Sequence, residues 1–63
     1  MITWVIDEAS GVYIGPLNKE ESDHTKSILN KHGNSFKEVQ VFITGLNILV
    51  CSYQQLLDQE NNS

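Results

Sequence analysis

Apolar and polar residues alternate in short blocks along this chain, and the spacing of the blocks changes from segment to segment. Ile2-Thr3-Trp4-Val5-Ile6 and Val12-Tyr13-Ile14 are β-branched and aromatic runs, the side chains that fit a pleated surface. The polar stretch Asp7-Glu8-Ala9-Ser10-Gly11 between them predicts a hairpin with a longer loop, Gly11 taking a positive φ. Side chains change face at every residue of a strand, so the pairing register decides which of them are buried together. Pairing Ile6 with Val12 gathers Ile2, Trp4, Ile6, Val12 and Ile14 on one face and leaves Thr3, Val5 and Tyr13 on the other. Gly15-Pro16 then predicts the end of the second strand, because proline has no N–H to give to a ladder.

The period changes after Pro16. Asn18 is a good helix N-cap, and Glu21 three residues later can bond back to the cap's own N–H as a capping box. Glu20, Glu21 and Asp23 fall in the first turns, where the helix dipole favours negative charge. Lys31 and His32 fall in the last turn, where it favours positive charge, and Gly33 suits the left-handed residue that closes a helix. These signals predict a helix from about Lys19 to His32. Its apolar face is lean: Thr25, Ile28, Leu29 and His32 have helical spacing, but only Ile28 and Leu29 are strongly apolar.

Period-two alternation returns in Val39-Gln40-Val41-Phe42-Ile43 and Ile48-Leu49-Val50-Cys51, which flank Thr44-Gly45-Leu46-Asn47. A type II′ turn at Gly45-Leu46 predicts a second hairpin pairing Ile43 with Ile48, Val41 with Val50, and Val39 with Ser52. The opposite face would pair Phe42 with Leu49, Gln40 with Cys51, and Glu38 with Tyr53. Ser52 and Gln55 repeat the capping pattern, so a short helix is expected from Tyr53, turning Leu56 and Leu57 inward. The expected architecture is one α+β domain over residues 1–58: ββαββ, an antiparallel sheet packed by one main helix and a short C-terminal helix. Residues 59–63 read as a flexible polar tail. In outline ββαββ resembles many small regulatory and phage-encoded domains, and an outline alone carries no function.

Composition narrows the functional classes. A domain of this size holds itself together by roughly 3–5 kcal/mol unless something staples it. The single Cys51 cannot form an internal disulfide, and no Cys/His cluster has the spacing of a structural zinc site, so no metal or cofactor is expected. Burial of apolar surface against another chain stays open. The longest apolar run, Ile48 to Cys51, is far short of the roughly 20 residues a membrane helix needs. Met-Ile-Thr-Trp at the start has neither the basic segment nor the cleavage site of a secretory signal, and a lone thiol fits a reducing compartment; a cytoplasmic location is the expectation. The chain has four lysines, no arginine and eight carboxylates, a net charge of −4, which opposes direct nucleic-acid binding.

Candidate chemistry is thin. His24 and His32 lie eight residues apart, about 12 Å along one helix, too far for a shared zinc with bonds near 2.1 Å. His32 reads as a partner of the helix dipole and His24 as a surface residue. Ser22-Asp23-His24 has the letters of a hydrolytic triad, but neighbours on a helix point apart and cannot hand a proton along. Cys51 in an apolar strand acts as a small hydrophobe. The isolated glycines make no phosphate cradle. A non-catalytic protein-binding module is therefore expected: a regulator, inhibitor or adaptor, working as a homodimer or against another protein. Its candidate contact residues are Phe42, Leu49, Tyr53 and Tyr13, with the acidic group Glu20, Glu21 and Asp23. An acidic nucleic-acid mimic that inhibits a DNA-binding protein is the alternative, and a toxin-type ribonuclease, lacking any arginine, ranks below it.

Overall fold

A computed structural model describes residues 2–40 and 49–62. Strands β1 (Thr3–Asp7) and β2 (Val12–Leu17) form the first hairpin and are followed by helix α1 (Lys19–Lys31). Strands β3 (Phe36–Gln40) and β4 (Val50–Cys51) and helix α2 (Tyr53–Asn61) complete the chain. The class is α+β, with one main helix and a shorter C-terminal one. The sheet is mixed: its order is β3-β1-β2-β4, with β1 antiparallel to both β2 and β3, and β4 parallel to β2.

The first hairpin forms where its residues predict, in a different register. Ile6 pairs with Tyr13 and Asp7 with Val12, where the alternation predicted Ile6 opposite Val12. The cause lies at the turn. Asp7 stays in the strand and closes the loop, its carbonyl accepting from Gly11 N–H at 2.7 Å and its Oδ1 from Ala9 N–H at 3.1 Å. Gly11 takes the expected positive φ of 75°. Because side chains alternate, the shift re-sorts the faces. Val5, Val12 and Ile14 lie on the helix side, and Trp4, Ile6 and Tyr13 on the outer side.

β2 also runs through Gly15-Pro16 to Leu17 instead of ending there. Thr3 pairs with Leu17 and Val5 with Ile14, so two residues of β2, joined by a cis bond, stand against Trp4 alone. Such a bulge already interrupts the ladder, and a proline there forfeits no regular hydrogen bond.

α1 starts and stops as its caps predict. Glu21 N–H donates to Asn18 Oδ1 at 2.8 Å, and Asn18 N–H donates to Glu21 Oε1 at 3.0 Å. At the other end Gly33 has φ 73°, its N–H bonds Asn30 O at 3.0 Å, and Asn34 N–H bonds Leu29 O at 2.9 Å. This 6→1 and 5→2 pair is a Schellman closure. Asn18→Ala should therefore cost about 0.5–2 kcal/mol, read as a lower urea midpoint. An unchanged midpoint would show that the cap contributes nothing.

Both helices pack on one face of the sheet. Val5, Ile14 and Leu17 meet Ile28 and Leu29 of α1 and Leu56 of α2, with Val12, Phe36, Cys51, Tyr53 and Leu57 partly buried around them. The buried stripe of α1 is Ser22, Thr25, Ile28 and Leu29, whereas His32 is exposed. Thr25 is fully buried, and its hydroxyl oxygen has no hydrogen-bond partner among the described residues. Thr25→Val keeps the shape and removes a desolvated polar group, so it should raise stability by about 1 kcal/mol. A lower thermal midpoint for that variant would mean the hydroxyl is satisfied in solution.

α2 is capped as expected: Gln55 N–H donates to Ser52 Oγ at 3.1 Å, and Ser52 N–H donates to Gln55 Oε1 at 2.9 Å. It then continues to Asn61, through positions expected to be a polar tail. Glu60 gives this last turn something to hold, since its carboxylate lies 2.7 Å from His32 Nε2 and 3.7 Å from Lys31 Nζ.

The second hairpin differs most. β3 bonds β1, with Gln40 opposite Thr3 and Glu38 opposite Val5. β4 bonds β2, with Val50 opposite Tyr13 and Cys51 opposite Ile14. The two strands occupy opposite edges of the sheet, so Val39–Ser52, Gln40–Cys51 and Glu38–Tyr53 are not pairs. Hydrogen bonds with the central hairpin take the place of those expected between β3 and β4. The expected pairs made by Val41, Phe42, Ile43 and Ile48, and the turn at Gly45-Leu46, lie outside the described residues.

Candidate functional site

A groove of about 560 Å³ is bounded by the C-terminal half of α1, by α2 and by β4. Val12, Ile14, Ile28, Leu29 and Leu56 form its floor, continuous with the core. Asp7, His32, Asn34, Gln55, Gln59 and Glu60 form a polar rim. Leu49 and Val50 close one end. Among the described residues they are also the large hydrophobic ones most open to solvent, at 66% and 52% exposure. Backbone bonds to β2 hold them there: Tyr13 N–H donates to Leu49 O at 2.8 Å, and Val50 pairs with Tyr13.

The residues singled out from the sequence are dispersed around this frame. Leu49 borders the groove, and Tyr53 opens α2 on the same side of the sheet. Tyr13 points to the outer face, and Phe42 lies outside the described residues. Tyr53 is half-buried, with its hydroxyl hydrogen-bonded to His24 Nδ1 and its ring edge-on to the imidazole at 5.8 Å. The three acidic residues have different local engagements. Glu21 is spent on the cap, Asp23 lies 4.0 Å from Lys26 Nζ, and Glu20 is exposed. Val50, which the alternation pairs with Val41, is not among the contact residues the sequence suggests, yet it is more than half exposed.

Two groups of charges link elements of the fold. Glu38 on β3 accepts from Ser22 Oγ–H at 2.9 Å, and the same oxygen lies 2.6 Å from Lys26 Nζ. The hydrogen bond from Lys26, and then that from Ser22, hold the Glu38 carboxyl below the usual range, and Glu38 in turn holds Lys26 above its own. His32 does the same to Glu60, whose carboxyl is pulled down chiefly by their hydrogen bond. A carboxylate accepts and cannot donate here, so Nε2 is the protonated nitrogen of His32. The two histidines of α1 thus reach the two ends of α2.

Among the described residues, the catalytic letters of the sequence do not come together. Ser22 is buried against Glu38 while His24 turns outward to Tyr53, which separates the members of the Ser22-Asp23-His24 run. Cys51 lines the groove, but burial pushes its thiol up, away from the reactive thiolate, and its S–H donates to Ser52 O at 3.4 Å. Among the described residues no three His, Cys, Asp or Glu side chains are placed to share a metal ion. Nor is any described helix long and apolar enough to cross a membrane. No family model matches the chain, and neither a curated protein nor a solved structure is significantly similar to it.

Proposed function

We propose that this chain is a small non-catalytic protein-binding module of the cytoplasm, a regulator, inhibitor or adaptor that works by surface contact as a homodimer or against another protein. One observation carries the reading: Leu49 and Val50 stand side by side at the mouth of the groove, more than half exposed, where the chain enters β4, an outer strand of the sheet formed by the described residues. An edge strand presents unpaired backbone groups together with side chains that a second chain can bury. A core this small gains from such burial, because each Leu or Val taken from water contributes roughly 1.5–3 kcal/mol. The acidic-mimic alternative draws no support from the arrangement of carboxylates. Glu21 and Asp7 are occupied by a cap and a turn, and Glu38 and Glu60 by ion pairs.

Sedimentation equilibrium at micromolar concentration tests the proposal. The wild type should form a dimer or should join its partner in mixtures. Leu49→Lys, at an exposed site, should stay folded and weaken either association by about tenfold to a hundredfold, the range that corresponds to losing one such side chain. A strict monomer whose Leu49→Lys variant binds its partner as tightly as the wild type would overturn it.

A further inference from the structure

We draw no further inference here: the strongest candidate, the groove between the C-terminal half of α1, α2 and strand β4, already belongs to the site described, and nothing in the structure shows what covers it.

Discussion

Val5→Asp should leave the chain unfolded in water at room temperature. Val5 is fully buried in β1, which is hydrogen-bonded on both sides, and it packs among Ile14, Leu17, Ile28 and Leu29. A carboxylate there would stand opposite Glu38, a like charge directly across the strand pair. The effective penalty for burying an unpaired ion is several kcal/mol, against a total of roughly 3–5 kcal/mol for a domain of this size. Far-UV circular dichroism reads the outcome. Ile6→Asp is the companion measurement, because Ile6 is half-buried on the outer face and should tolerate the charge better. The register predicted by alternation reverses this order, placing Ile6 with the larger apolar set. A folded Val5→Asp beside an unfolded Ile6→Asp would restore that register.

Gly15→Ala carries the second large effect. A Cβ at this buried position would lie 2.7 Å from Trp4 Cε3, 3.0 Å from Trp4 Cδ2 and 3.2 Å from the Thr3 carbonyl oxygen. The indole lies against the bare backbone of the bulge, and at 8% exposure Trp4 has little free space into which to move. Forcing an extra methyl into such a contact costs typically 1–3 kcal/mol. For a chain of this size that lowers the thermal midpoint by roughly 4–24 °C. Trp4→Phe should recover part of the loss in the double variant, since the smaller ring vacates the position the methyl needs. A Gly15→Ala midpoint equal to wild type would show that the indole does not rest on this glycine.

What the sequence reveals here depends on how far apart the cooperating residues are. Both helices are legible because their signals are local: Asn18 with Glu21, Ser52 with Gln55, and Gly33 directly after the last turn. The first hairpin is legible as a hairpin but not in its register. Trp4, Val5 and Ile6 offer apolar side chains to both faces, and Asp7, a turn residue by type, stays in the strand. The hydrogen bonds of the turn, not the alternation, settle the pairing. Strand order is illegible for a different reason. β3 and β4 follow one another in the chain, and consecutive strands usually pair. Here each bonds a distant strand of the central hairpin, and no local feature of Val39, Gln40, Val50 or Cys51 marks those partners. The candidate site inherits that uncertainty. Leu49 is recognisable as a contact residue, whereas Val50 becomes one only when β4 is an edge.

The position of the first hairpin also shapes how the chain can fold during synthesis. β1 and β2 leave the ribosome before β3 and β4 yet lie between them in the sheet, so both flanking strands are attached afterwards. Once α1 has emerged, Ile14, Ile28 and Leu29 can already meet, but Leu56, which completes their cover, emerges later. At about 5–20 residues per second the interval from Leu29 to Leu56 lasts roughly one to five seconds. That is long beside the microseconds in which a hairpin forms, so each nascent molecule holds a partly assembled apolar surface for roughly a hundred thousand hairpin-formation times or more. Slower synthesis while that stretch emerges would lengthen the exposure, and faster synthesis would shorten it, without altering a single contact of the finished protein.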